Sequence, residues 1–407
     1  MGFGQGLSGL NAASQNLDVI GNNIANSGTV GFKAGSASFA DVYASSRVGL
    51  GVKVAAINQR FTTGNVATTG GEFDIAIDGA NGFFRMVDPS GSVFYTRNGE
   101  FFMDKNFNIV NAQGMQLTGY PAGAIGAAPV GLRVPQANIP PQATTSAGVQ
   151  TNLDADAAVI PATDVFDPTR RATYTDSVPT TVYDSLGNSH TLMQYFIKRE
   201  ANGAGESVYE VHYTLDGNAV QTDAGDDFAT LTFNASGQVL NTPPEVALAI
   251  PNPGGADSPA EDMAITMSYD GVTQFGNAFN PKVTPDGYAS GQYLGISIAQ
   301  DGSVEAQYSN GESQVVGTIA LASFNNQQGL QPVGDNAWVE TNASGQPQLG
   351  QPGTGGLASL RGQALEQSNV NLSDELVNMI IAQRTYQANS QTISTQSEIL
   401  QTLLNIR

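Results

Sequence analysis

All 19 prolines of this 407-residue chain fall between Pro89 and Pro352, so both ends are proline-free. Proline lacks a backbone N–H and breaks helices and central strands. Long regular elements are therefore reserved for the ends, and the middle is left to strands and turns. At the front, Phe3, Leu10, Leu17 and Ile24 stand seven apart, with Gly6, Ala13 and Ile20 at the intermediate positions. That spacing predicts an amphipathic helix with a narrow apolar seam. The turn-favouring run from Ala25 through Asn26, Ser27 and Gly28 stops it. Gly4, Gly6, Gly9 and Gly21 each cost roughly 1 kcal/mol against alanine, so this helix needs a partner.

The far end offers one. Leu372, Met379, Tyr386, Ile393 and Leu400 are again seven apart, with Leu376 and Leu404 flanking. Ser373 reads as the N-cap, and Asp374 and Glu375 place carboxylates in the first turn, where the helix dipole favours them. At about 1.5 Å per residue, residues 373–405 would extend roughly 50 Å. Between Gln383 and Ser397 the only charge is Arg384; the rest of the polar face is amide and hydroxyl. A solvated helix usually carries Glu–Lys pairs. A neutral polar face fits a helix inside an assembly, touching other copies or lining a passage.

Composition narrows the function. The chain holds 36 acidic and 16 basic side chains, a formal net charge of −20. Nucleic-acid affinity rests on Lys and Arg neutralising phosphates, and docking on anionic membranes needs the same residues. Neither is supported. Only 13% of residues are charged and none is cysteine, so there is no disulfide framework, thiol nucleophile or Cys-ligated metal. The front lacks a basic n-region and a continuous apolar stretch, and no run of about 18 apolar residues could insert in a membrane. The expectation is a cytoplasmic chain, or one exported by a route that reads no cleaved signal.

Between the ends the reading is multidomain and mainly β. Residues 34–70 read as an extended Gly/Ser/Thr-rich connector with one strand near 50–61. Strand signals follow at 73–78, 82–87, 93–96, 100–104 and 109–120, separated by Asp78-Gly79, Pro89-Ser90-Gly91 and Asn98-Gly99. A similar set occupies 293–299, 304–308 and 314–324. The two sets are expected to form one discontinuous domain, 71–147 and 283–356. A second β domain, 148–282, interrupts it, and 1–70 with 357–407 form a helical assembly domain. Residues 121–148 look like a domain crossing and 345–356 like a flexible linker.

No catalytic, cofactor-binding or metal-ligating constellation emerges. The histidines are His190 and His212. Asp184, Ser189 and His190 share one tight turn, whereas a triad needs separate elements that aim base and nucleophile at each other. Asp184 reads instead as a turn-stabilising residue. Asp104-Lys105-Asn106-Phe107-Asn108 begins like a calcium loop but has Ile109 at position six and Met115 at position twelve, where glycine and glutamate are required. The acidic clusters Asp154/Asp156 and Asp223/Asp226/Asp227 read as surface, with weak cation binding as the alternative. No glycine-rich loop has the context of a phosphate cradle.

Two heptad seams with nothing catalytic between them point to self-assembly; the alternative is that the helices simply pair within one monomer. The motifs are specific. Leu17-Asp18-Val19-Ile20-Gly21-Asn22-Asn23-Ile24-Ala25-Asn26 and Thr29-Val30-Gly31-Phe32-Lys33 lie at the front. Ser368-Asn369-Val370-Asn371-Leu372 and Gln383-Arg384-Thr385-Tyr386-Gln387-Ala388-Asn389 lie at the back. With Asn81-Gly82-Phe83-Phe84 and Tyr95-Thr96-Arg97-Asn98-Gly99 between them, the chain resembles the bacterial flagellar axial family of rod and hook proteins. Tyr183-Asp184-Ser185-Leu186-Gly187-Asn188 resembles the outer domain of its hook branch.

The resemblance implies a non-enzymatic subunit whose terminal helices pair as an inner coiled-coil layer, with two β layers outside. Many copies would form a curved hollow tube that passes torque from rod to filament. The inner interface would comprise Phe3, Leu10, Leu17, Ile20, Ile24, Asn26, Thr29, Gly31 and Phe32, with Leu372, Leu376, Met379, Gln383, Tyr386, Ile393, Leu400 and Leu404. Implied partners are further copies, rod, hook-cap and hook–filament junction proteins, and the flagellar type III export apparatus. Phe3 and Leu7 are the export-signal candidates, and the location would be the extracellular flagellum. The alternatives are a distal rod or hook-associated protein, or a secreted β-rich glycan-binding or hydrolytic protein.

Overall fold

Helix α1 (Phe3–Ala25) and helix α2 (Leu372–Asn405) occupy the proline-free ends. The computed structural model describes residues 3–42, 49–241, 244–255 and 258–405. The cap of α2 is Asn371, not the expected Ser373. Asn371 Oδ1 accepts the Ser373 N–H at 3.1 Å and its carbonyl accepts the Glu375 N–H at 3.0 Å. Asparagine caps as well as serine does, and taking that place moves Ser373 into the first turn.

The connector also differs from expectation. Residues 34–70 hold a hairpin in which β1 (Gly35–Val42) pairs antiparallel with β2 (Gly51–Gln59), with an irregularity between Ser38 and Phe39. Ser, Ala and Gly gave β1 too weak an alternation to be read. The ribbon is fastened to α1 by Asn23, whose side chain donates to the Gly35 carbonyl at 2.8 Å and accepts the Gly35 N–H at 2.9 Å.

The chain divides into two compact units, one of residues 1–136, 294–307 and 313–407, the other of 137–293 and 308–312. The first holds both helices, the ribbon and a 13-stranded sheet. Its aromatic core brings Phe61, Phe83, Phe324 and Trp338 edge to face at centroid distances of 5.5–5.9 Å, the arrangement ring quadrupoles prefer. Val66–Thr68 pairs with Ala364–Glu366, and Ile75–Asp78 with Ser359–Gly362, tying the early chain to the segment before α2. The expected flexible linker 345–356 contains a strand, Gln348–Gly350, paired with Leu321–Ser323. Its prolines, and its glycines other than Gly350, lie outside that strand. The single strand expected over 109–120 is two, Ile109–Val110 and Gln116–Pro121, separated where Asn111 Oδ1 accepts the Met115 N–H at 2.9 Å.

The second unit is built on a nine-stranded sheet whose central hairpins run through Asp176–Tyr183, Ser189–Arg199 and Ser207–Leu215. Glu245–Ile250 pairs with Met263–Ser268; its Ala-rich outward face hid it from the strand pattern. Inside, the Tyr213 and Tyr269 hydroxyls meet at 2.7 Å, and Tyr269 donates to Gln194 Oε1 at 3.0 Å. Buried hydroxyls of this kind need partners.

One turn chemistry recurs. Asp184 Oδ1 accepts the N–H groups of Leu186 and Asn188 at 2.9 and 2.8 Å, and Oδ2 accepts the Asn188 side chain at 2.9 Å. Asp104 holds Asn106 and Asn108 in the same way, and Asn234 holds Ser236 and Gln238. Burial of Asp184 disfavours its charge, but the hydrogen bonds from Asn188 and Leu186 outweigh it and hold the carboxyl below its ordinary 3.8. A depressed folded-state pKa means stability that is present above 3.8 and lost as pH falls through the folded value. Asp184→Asn is therefore expected to melt lower than the parent at pH 7, with the gap narrowing as pH falls below 3.8 in thermal scans followed by tyrosine circular dichroism. A gap independent of pH would contradict this.

Candidate assembly interface

Within the first unit α1 and α2 run antiparallel. A Cβ on Gly6 would stand 3.0 Å from Ile393 Cγ1, and one on Gly9 would stand 2.7 Å from Asn389 Oδ1. At the other end, Asn369 Oδ1, just before α2, accepts the Ala34 N–H at 2.8 Å. The glycines that weaken α1 as an isolated helix thus allow close approach. On α1 the covered residues are Gly6, Ala12, Ala13, Ile20 and Asn23; on α2 they are Glu375 and Ala382.

The residues expected at the interface are distributed accordingly. Ile20 and Gly31 are buried; Leu10, Leu17, Ile24, Asn26, Thr29, Phe32, Met379 and Ile393 are half-buried. Phe3, Leu7, Leu372, Leu376, Gln383, Tyr386 and Leu400 are exposed, and the side chain of Leu404 lies outside the described residues. So the contact between the helices is made largely by small and polar side chains, and much of the large apolar surface faces away. Val377, Ile380 and Ile381, which the heptad reading passed over, add to it. Leu372, Leu376, Val377, Ile380, Ile381, Ile399 and Leu400 are each 46–57% exposed. Their i, i+3, i+4 spacing at Val377, Ile380 and Ile381 was the available signal for a second apolar stripe. Exposed apolar patches of this kind are commonly interaction surfaces.

A buried ion cluster also escaped the sequence reading. Lys33 Nζ lies 2.6 Å from Glu366 Oε1 and donates to the Thr62 carbonyl at 2.8 Å. Arg97 Nη1 lies 3.2 Å from Glu366 Oε2 and donates to the Gly79 carbonyl at 2.9 Å. Glu366 Oε1 accepts the Gly64 N–H at 2.8 Å. All three ionic side chains are fully buried. Burial pushes the Lys33 ammonium down from its ordinary pKa, with Glu366 opposing and Arg97 adding to the shift. At Gly31 the backbone has φ +69°, and a Cβ would meet the Arg97 carbonyl carbon at 2.6 Å. This cluster positions the exit from α1 and the approach to α2.

The residues weighed for chemistry do not form a reactive site. His190 Nδ1 lies 2.8 Å from Asp216 Oδ2 and its Nε2 lies 3.5 Å from Asp184 Oδ2. An imidazole between two carboxylates that are themselves engaged in turns braces those turns. Among the described residues, no group of three or more His, Asp or Glu could hold a metal ion, and no helix is long and apolar enough to cross a membrane.

Four family models match the chain in order. Residues 5–33 match the flagella basal body rod protein model, and 76–152 the flagellar hook protein FlgE/F/G D1 domain. Residues 152–288 match the flagellar basal body protein FlaE D2 domain, and 361–406 the flagellar basal body rod FlgEFG protein C-terminal model. The chain is 46% identical over 418 residues to the flagellar hook protein FlgE of Escherichia coli K12, covering 100% of both chains. It is 46% identical over 413 residues to that of Salmonella typhimurium LT2, again covering 100% of both. The FlgE of Borreliella burgdorferi is 32% identical, with 99% of this chain and 98% of that one covered. The crystal structure of Helicobacter pylori flagellar hook protein FlgE2 aligns over 74% of this chain and 100% of its own, with a TM-score of 0.55 and 14% identity. That likeness speaks to the fold alone: terminal helices on a mostly-β body.

Proposed function

This chain belongs to the flagellar hook protein family, FlgE, and we propose that the apolar surface left on α1 and α2 is what each copy presents to its neighbours in the hook. The protein is a structural hook subunit, one copy in a homopolymer of the flagellar axis. The observation that carries the proposal is the set of large aliphatic side chains on α2 that stay about half exposed although α1 is packed against the helix.

In this reading the terminal helices pair as a coiled-coil layer around a central channel, with their neutral amide face in contact with other copies or the passage. Residues 1–70 and 357–407 form this inner layer, 71–147 and 283–356 a middle layer, and 148–282 an outer one. Such a tube acts as a universal joint. Bending requires neighbouring copies to slide between packings of similar energy while the apolar inner contacts persist. Weakly charged outer surfaces suit the sliding. Rod, hook-cap and hook–filament junction proteins would bind its ends. Export to the extracellular flagellum through the type III apparatus would use Phe3 and Leu7, both exposed.

A cysteine-free chain makes the test simple. Val377→Cys is expected to react with a maleimide freely in the monomer and at least about tenfold more slowly in assembled tubes, since exposure controls thiol access. Equal rates would contradict the proposal.

A further inference from the structure

The groove bounded by α1, α2 and the ribbon encloses about 640 Å³ and is lined by Gly9, Ala13, Ala37, Val52, Ile381 and Ala382, among others. Alanine and glycine stop short of filling it, and its one ion pair is Arg60–Glu375 at 3.5 Å, with the Arg60 side chain 51% exposed. We propose that this groove receives the last turns of α2, residues 394–402, from a second copy of the chain. The inference rests on the hook-subunit reading and adds to it which surfaces meet.

Three observations select that occupant. First, Ile393 stands opposite Gly6, α1 begins at Phe3, and α2 continues to Asn405. The last turns of α2 therefore run past the first described residue of α1, and Ile399 and Leu400 are each 49% exposed. Second, the groove mixes small apolar side chains with amides and hydroxyls and has one accessible cation, Arg60, and the segment 394–402 is neutral and polar apart from Ile399, Leu400 and one carboxylate, Glu398. Third, a copy cannot fill its own groove. Ala382 lines it, and Leu400 lies 18 residues further along the same helix, about 27 Å away at the helical rise of about 1.5 Å per residue. Donor and acceptor surfaces are thus different stretches of one helix, the groove reaching only as far as Asn389. A contact of that type is heterologous and repeats without closing on itself unless its rotation happens to make a ring, which is how open helical filaments arise.

The test introduces two cysteines into the cysteine-free chain, Ala37→Cys in the groove and Leu400→Cys in the donor segment. Expressed in a bacterium deleted for its own hook subunit, the double variant is expected to assemble. Mild oxidation of the isolated tubes should then give a ladder of covalent multimers absent from either single variant. Intact tubes with no ladder would overturn the inference while leaving the hook reading standing. Failure of the unsubstituted chain to form tubes would overturn the hook reading and the inference with it. If Ala37→Cys blocks assembly, Val52→Cys with Leu400→Cys puts the same question from the other strand of the ribbon.

Discussion

Replacing Glu366 by alanine is expected to destabilise the first unit by about 3–5 kcal/mol, the usual consequence of leaving buried charge without its partner. Lys33 and Arg97 both rely on this one carboxylate, at 2.6 and 3.2 Å, and none of the three side chains is exposed. Arg97 is already under-satisfied, since its Nε has no hydrogen-bond partner. With Glu366 gone, the two cations face each other with only carbonyls and, for Arg97, the Phe83 ring 5.3 Å away. Lys33, whose pKa burial already depresses from 10.5, would be driven to lose its proton. A depressed lysine binds fewer protons folded than unfolded, so stability rises with pH up to about 10.5. The deficit in Glu366→Ala should therefore shrink as pH is raised. Glu366→Gln keeps an acceptor for Lys33 and for the Gly64 N–H, and should lose less. The protein's single tryptophan, Trp338, sits in the core of the same unit. Its fluorescence in urea reports this unit selectively. A change below about 1 kcal/mol would show that the cluster is incidental to stability.

The second large effect concerns assembly and leaves the monomer alone. Val377 and Ile380 are 55% and 52% exposed, so Val377→Asp with Ile380→Asp should shift the Trp338 unfolding midpoint by no more than about 0.5 kcal/mol, as surface changes do. In a tube where these positions are covered, each copy would have to bury two unpaired carboxylates. Each is a penalty of several kcal/mol, repeated at every subunit. Tube formation should be abolished, scored by electron microscopy and by motility of a complemented strain. Normal numbers of hooks on the doubly substituted strain would contradict the assignment of this face.

The sequence shows the helices more clearly than it shows their faces. Heptad spacing located α1 and α2, but periodicity reports only which residues share a face. It does not say whether α1, or another copy, covers that face. Leu376 and Leu400 are exposed, while Gly6, Ala13 and Ala382 make the covered contact, because small residues allow approach without adding hydrophobic signal. Strand β2 is legible near 50–61, but its partner β1 is not, for a related reason: Ser, Ala and Gly alternate too weakly to read as a strand. Lys33, Arg97 and Glu366 lie too far apart in the chain for any local pattern to join them. The clue was chemical, a lone cation in Gly31-Phe32-Lys33 and another in Tyr95-Thr96-Arg97, within a chain that is only 13% charged. By contrast, the turn at Asp184 was fully legible, because an acidic side chain that caps the backbone two and four residues ahead is a local device.

In the proposed hook, the paired terminal helices form the innermost layer of a homopolymer, with the exposed face of α2 against other copies. A helical reconstruction of the assembled protein by electron cryomicroscopy tests it most directly. The expected result is a hollow tube in which α1 and α2 surround the channel and Val377, Ile380 and Ile381 contact neighbouring subunits. A tube with these helices on its outer surface, or with those three side chains facing solvent, would contradict it.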